Sequence, residues 1–173
     1  MPSYKEKLPS IRAFIFDVDG VFTDSTVYLH PSGEMLRAMN TRDGYAVRVA
    51  VDRGYTIGII TGGNSPSVKS RLEGLGVKQV FLGIHEKMDT LLEFMRSNNL
   101  SPDECMYMGD DIPDYEVMLK VGFAAAPQDA CQEIKSIAHY ISPYDGGRGC
   151  VRDIIEQTLR VQNNWFDVTI PSN

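Results

Sequence analysis

Five short apolar runs punctuate the chain: Ile11 to Phe16, Tyr55 to Ile60, Gln79 to Leu82, Cys105 to Met108 and Gly122 to Ala126. They are nearly continuous rather than alternating, the pattern of strands covered on both faces of a parallel sheet. Amphipathic stretches separate them. Gly44 to Arg53 is closed by Gly54. Pro66 to Leu75 has Ser65 at the N-cap position, proline at the first helical position and Gly76 as a stop. Lys87 to Ser97, Asp114 to Lys120 and Gly149 to Gln162 complete the set. Strand–helix alternation of this kind predicts an α/β, Rossmann-like doubly wound parallel sheet. Ser25 to Met39 departs from it, reading as a small β-hairpin insertion around Pro31-Ser32-Gly33. An isolated hairpin is marginal in water, so Val27, Leu29, Met35 and Leu36 are expected to pack on their own domain or on another subunit.

Length and composition narrow the class. The 173 residues suit one domain, with 43% apolar and 23% charged residues as in ordinary soluble proteins. No apolar run approaches the ~20 residues that span a bilayer, and the N-terminus lacks a signal-peptide stretch. Cys105, Cys131 and Cys150 are odd in number and lack metal-ligand spacing, which points to a reducing cytoplasm. The tail from Asn163 to Asn173 carries Trp165 and Phe166 but no functional signal. A net charge of −6 argues against nucleic acid as partner. It also means that a phosphorylated substrate requires a local cation.

Four polar clusters follow successive strand ends. Asp17-Val18-Asp19-Gly20 follows the first run, and Thr61-Gly62-Gly63 follows the second. Lys87 opens a helix after the third, and Gly109-Asp110-Asp111-Ile112-Pro113-Asp114 follows the fourth. Each alone has an ordinary reading: a polar turn, a capped loop, a solvated lysine, a capping aspartate. Sites of open parallel sheets lie at the carboxyl ends of strands, so together the clusters share one crevice. The aspartates gathered there can all ionise only around a cation, and hard oxygen donors suit Mg²⁺. Free N–H groups at the start of the helix after Thr61 favour a phosphate.

The ordered set, from Ile11 to about Leu159, resembles the haloacid dehalogenase superfamily of phosphotransferases. The resemblance implies that Asp17 attacks phosphorus and that Asp19 serves as general acid and then base. It implies Mg²⁺ held by the Asp17 carboxylate, the Asp19 main-chain carbonyl and Asp110, supported by Asp111 and Asp114. Thr61, the Gly62 N–H and Lys87 would hold the phosphoryl oxygens. Only 44 positions separate Asp17 from Thr61 and 26 separate Thr61 from Lys87, which leaves no room for a cap domain. The site is therefore open unless another chain covers it, and the hairpin offers a means.

Asp17 to Asp24, Arg42-Asp43-Gly44, Gly109-Asp110-Asp111 and Gly146 to Arg152 resemble the capless 3-deoxy-D-manno-octulosonate 8-phosphate phosphatases of lipopolysaccharide sugar synthesis. That resemblance implies a homotetramer, with Arg42, Arg71 and Arg148 as candidate contacts for the sugar acid. An arginine fork suits a carboxylate, although Arg71 equally suits a helix face turned to water. One departure stands out: many of these enzymes carry a basic residue just after the Thr-Gly pair, where this chain has Gly63. A nine-carbon keto-acid phosphate is the alternative substrate. A catalytically idle interaction domain is the alternative of another class, and a dinucleotide-binding Rossmann protein is set aside because no G-x-G-x-x-G follows the first strand.

Overall fold

In a computed structural model of the chain, which describes residues 3–166, the first apolar run forms strand β1 (Ala13–Phe16), buried along its whole length. A two-stranded antiparallel hairpin follows, β2 (Tyr28–Leu29) and β3 (Met35–Leu36). Then come α1 (Thr41–Asp52), β4 (Thr56–Ile60), α2 (Pro66–Gly74), β5 (Gln79–Phe81), α3 (Lys87–Ser97), β6 (Cys105–Met108), α4 (Tyr115–Lys120), β7 (Phe123–Ala126), α5 (Gln132–Ile137), β8 (Tyr140–Ile141) and α6 (Cys150–Val161). The main sheet is parallel throughout, in the order β5-β4-β1-β6-β7-β8. Among the described residues no cap domain stands over it, and no helix is long and apolar enough to cross a membrane.

Side chains alternate along each strand, so one run of apolar residues feeds two cores. Phe14 and Phe16 of β1 join Ile57, Ile59, Met106 and Met108 beneath α1, α2 and α6. Ala13 and Ile15 turn to the other face, with Ile60 and Tyr107 beneath α3, α4 and α5. Each fully buried large apolar side chain contributes roughly 1.5–3 kcal/mol.

Helix starts and stops follow local chemistry. Asn40 caps α1, its side-chain oxygen accepting the Arg42 and Asp43 N–H groups, so that helix begins three residues before the expected Gly44. Gly54 and Gly76 adopt positive φ where α1 and α2 end. Ser65 does precede Pro66 at the start of α2, but its hydroxyl pairs with that of Ser67 rather than capping the helix.

The winding places the site. From β1 the chain moves outward to β4 and β5, then returns past β1 to β6 and moves outward the other way. Crevices form at such reversals, beyond the carboxyl ends of the strands. Phe16 is in register with both Ile59 and Met108, so the residues that follow β1, β4 and β6 emerge at one level. The hairpin projects with its apolar residues uncovered: Tyr28 is 63% exposed and Leu29 79%. In the single chain it is thus not folded onto its own domain. Trp165 is buried edge-on against Tyr45, under the Arg152 guanidinium, while residues 167–173 of the tail lie outside the described residues.

Candidate active site

Asp17 leaves β1 with its N–H still donating to the Met108 carbonyl, which fixes it against β6. Its Oδ1 accepts the Val18 N–H at 2.6 Å, and its Oδ2 lies 3.0 Å from Lys87 Nζ. Lys87 is 4% exposed at the first position of α3. It donates at 2.7 Å to Asp114 Oδ1, which also receives the Tyr107 hydroxyl at 2.7 Å. Asp114 Oδ2 takes the Asp110 N–H at 3.3 Å. Three donors therefore hold Asp114, and Gly109 permits the close approach, since a Cβ there would overlap the Asp114 side chain.

One carboxylate oxygen from each of Asp17, Asp110 and Asp114 lies within 4.8 Å of the others. Burial, then the charges of Asp17, Asp114 and Asp111, push the Asp110 carboxyl up to about 8. Burial and Asp114 raise Asp17 to about 6, against the pull of Lys87 and the Val18 N–H. Burial alone would lower Lys87, but Asp17 and Asp114 outweigh it and hold the ammonium charged. One cation thus serves two buried carboxylates while a third remains without a counter-charge. Carboxylate oxygens in that state fit a hard divalent ion, and Mg²⁺ agrees with the donor set. Asp111 is exposed, and its carboxylate caps the turn at Ile112.

The loop after β4 forms the opposite wall. Thr61 is 2% exposed, and its Oγ1 accepts the Gly63 N–H at 3.2 Å, leaving its hydroxyl proton for another acceptor. Backbone bonds from Gly83 to Gly63 and from Ile84 to Thr61 tie this loop to the one that delivers Lys87. Gly62 lies close to His85 and Gly63 close to Asp19. The Gly146 to Gly149 loop closes the base: Gly147 donates to the Val21 carbonyl at 2.9 Å, and Gly146 packs on the Gly20 carbonyl without room for a Cβ.

The three arginines are placed apart from the carboxylates. Arg42 and Arg148 line a cavity of about 820 Å³ between the start of α1 and one face of α6, together with Arg152, Arg160, Asp153 and Glu156. Arg71 is exposed on α2 and lies against Gly44. Two polar partners were not foreseen from the sequence. Tyr107 sits in a fully buried strand, where its hydroxyl requires an acceptor, and that requirement was the available signal. Arg37 follows the hairpin and grips Asp19 with two donors, Nε to Oδ1 at 2.6 Å and Nη2 to Oδ2 at 3.0 Å. Its only mark in the sequence is a basic residue where the hairpin rejoins the domain.

Comparisons with known proteins bear on the family and the fold. The model of the haloacid dehalogenase-like hydrolase family matches residues 83–152. The 3-deoxy-D-manno-octulosonate 8-phosphate phosphatase of Yersinia pestis is 34% identical over 164 residues, covering 95% of this chain and 88% of that protein. Its Escherichia coli K12 counterpart is 36% identical over 156 residues, covering 90% and 83%. The crystal structure of the Yersinia pestis enzyme superposes with a TM-score of 0.91 at 33% identity, over 94% of this chain and 88% of that one. The Moraxella catarrhalis enzyme, solved with magnesium, phosphate and a KDO molecule, gives 0.90 at 29% identity over 94% and 93%. The chain belongs to the haloacid dehalogenase-like hydrolases and, within them, to the phosphatases of the 3-deoxy-D-manno-octulosonate 8-phosphate type.

Proposed function

We propose that this protein hydrolyses 3-deoxy-D-manno-octulosonate 8-phosphate to the free sugar acid and phosphate, with Mg²⁺ as cofactor. The observation that carries the reading is the Asp17, Asp110 and Asp114 cluster beside Lys87 at the end of the central strands. Asp17, Asp110 and the Asp19 main-chain carbonyl are the proposed metal ligands, and Asp114 and Asp111 support them. Bound there, Mg²⁺ neutralises the charge of the phosphoryl oxygens.

The Asp17 carboxylate attacks phosphorus, and the bond from phosphorus to the sugar oxygen breaks. Asp19 gives its proton to that departing oxygen. Water then adds to phosphorus and passes a proton to Asp19, the Asp17–phosphorus bond breaks, and the starting carboxylate returns. Lys87, Thr61 and the Gly62 N–H hold the non-bridging oxygens in line. Asp114 and Tyr107 keep the Lys87 ammonium aimed at Asp17. Arg42 and Arg148 are the proposed contacts for the acid end of the sugar; the Arg152 and Arg160 beside them in the cavity are already paired with Glu156. Arg71 is proposed as a further contact.

The working form is a cytoplasmic homotetramer whose hairpins help close neighbouring sites. Uncovered apolar strands and the lack of a cap among the described residues support this assembly. Free Cys105, Cys131 and Cys150 suit a reducing compartment.

The test is phosphate release from the eight-carbon and nine-carbon keto-acid phosphates, side by side, with Mg²⁺ and with a chelator. Metal-dependent turnover that favours the eight-carbon ester and vanishes in Asp17→Asn is expected. Preference for the nine-carbon ester would reassign the substrate, and wild-type inactivity on both esters would return the chain to a binding role.

A further inference from the structure

The loop from β8 to α6 rests on the turn that follows Asp17. Gly146 packs on the Gly20 carbonyl, and Gly147 donates to the Val21 carbonyl. The residues on either side of this seat, Tyr144 and Arg148, both line the cavity that holds Arg42. Tyr144 is 50% exposed, yet its main chain is fixed on both sides. Its N–H donates to the Ser142 hydroxyl at 3.2 Å, and its carbonyl accepts the Gln128 N–H at 3.0 Å. Further bonds brace the loop beyond it: Gly146 donates to Asp129 Oδ1 at 2.9 Å, and the Asn40 amide donates to the Gly147 carbonyl at 3.3 Å. The Tyr144 ring leans on Gly149, where a Cβ would lie 3.7 Å from Cγ and 3.8 Å from Cδ1. Gly149 has φ +117°, which disfavours any side chain there and keeps the support bare. An aromatic ring is thus held at its root and left open toward the cavity.

A sugar ring presents a face of C–H groups, and the face of a tyrosine ring carries the negative part of its quadrupole, so the two stack. Tyrosine has few rotatable bonds and supplies that contact area at small entropic cost. The charges around it leave room for both ends of a sugar acid. Arg152 and Arg160 are engaged by Glu156, whereas Arg148 has only an exposed contact with Asp24 at 3.5 Å. We infer that Tyr144 is a specificity-determining contact of the phosphatase: its ring is the platform on which the sugar ring lies while Arg42 and Arg148 hold the acid end and Asp17 faces the phosphate. No bond forms or breaks at Tyr144. It selects substrates that carry a ring between two anionic ends. This inference rests on the phosphatase reading and on Arg148 as a contact for the acid end.

The decisive readout compares two phosphoryl substrates, the eight-carbon sugar-acid phosphate and acetyl phosphate, which has no ring and no acid end. In Tyr144→Ala, KM for the sugar-acid phosphate should rise about tenfold with kcat kept within about twofold, the pattern of lost uniform binding. Both constants for acetyl phosphate should stay within about twofold of wild type. Tyr144→Phe keeps the ring and should match wild type on both substrates. Tyr144→Leu keeps apolar bulk without an aromatic face, so its KM should rise roughly fivefold on the sugar-acid phosphate alone. It also carries the test if Tyr144→Ala folds poorly. Equal losses on both substrates would mean that the ring only braces the loop. That result, an unchanged KM in the Ala and Leu variants, or a loss confined to kcat would overturn the inference. Asp17→Asn runs in parallel. If wild type is active and Asp17→Asn is inactive on both substrates, unchanged KM values at position 144 remove only the platform. An inactive wild type or an active Asp17→Asn protein would instead remove the phosphatase reading.

Discussion

Gly20 shows how a single residue sets the charge cluster. It adopts φ +84°, and a Cβ built on it would overlap the Asp110 carboxylate. Gly20→Ala must therefore displace Asp110 in addition to the strain of a left-handed alanine, about 1–2 kcal/mol. The expected outcome is a protein that still folds but binds Mg²⁺ at least about tenfold more weakly, read by calorimetric titration. Unchanged affinity would remove Asp110 from the metal site. Asp43 gives a second residue-scale prediction, away from the carboxylate cluster. It is fully buried, its Oδ1 accepts the Arg152 N–H at the start of α6, and its Oδ2 is without a partner. Burial pushes its carboxyl up to about 6, against the pull of the Arg152 and Gly149 N–H groups. An unfolded aspartate titrates near about 3.9, so the folded chain holds this proton more tightly. Stability from this group is therefore present below about pH 4 and lost as pH rises to about 6, by roughly 2–3 kcal/mol. Urea unfolding across that window should show wild type losing stability relative to Asp43→Asn. A difference between the two that is independent of pH would show an ordinary carboxylate.

At the scale of elements, the strand that carries Thr61 depends on a missing side chain. Gly58 lies within β4, and a Cβ there would stand 2.6 Å from the Phe94 ring of α3. Gly58→Ala should destabilise by about 1–3 kcal/mol through overpacking. Phe94→Leu should relieve part of that penalty, so the double mutant should be less unstable than the sum of the singles; strict additivity would mean the two do not touch. This contact is invisible in the sequence because it joins residues of different periodicity across the sheet. What was legible shared one property, a signal contained within a few neighbours. The runs that became β1, β4 and β6 are nearly continuous in apolar residues, and the aspartates, Thr61 and Lys87 stand directly at the strand or helix ends that place them. Elements without a local signal were missed. β8 has only two residues, too few to show a period, and α5 (Gln132–Ile137) buries a single residue, Ile134, so it has no apolar stripe, whereas α4 of the same length follows the Gly109 to Asp114 cluster that marks its start. Arg37 failed for the same reason: an arginine beyond a turn normally faces water, and only the tertiary fold turns it inward to Asp19.

The whole molecule presents an imbalance that one chain cannot resolve. Its main sheet is covered on both faces, yet Tyr28, Leu29, Met35 and Leu36 stand 63%, 79%, 48% and 41% exposed on strands of two residues each. Two-residue strands have too few cross-strand pairs to hold a hairpin alone, and apolar side chains clustered on a projecting element mark a contact surface. The proposed tetramer would bury them, and the same contact would steady the strand end from which Arg37 reaches Asp19. Leu29→Glu combined with Leu36→Glu places like charges on both strands of that surface. Light scattering should give four copies for wild type and fewer for the double variant. If the hairpins close neighbouring sites, turnover of the sugar-acid ester should fall with the mass, and both should depend on protein concentration in the same range. A wild-type chain that is monomeric at all concentrations, or a dissociated variant with full turnover, would mean that the hairpin acts within its own subunit through Arg37 alone.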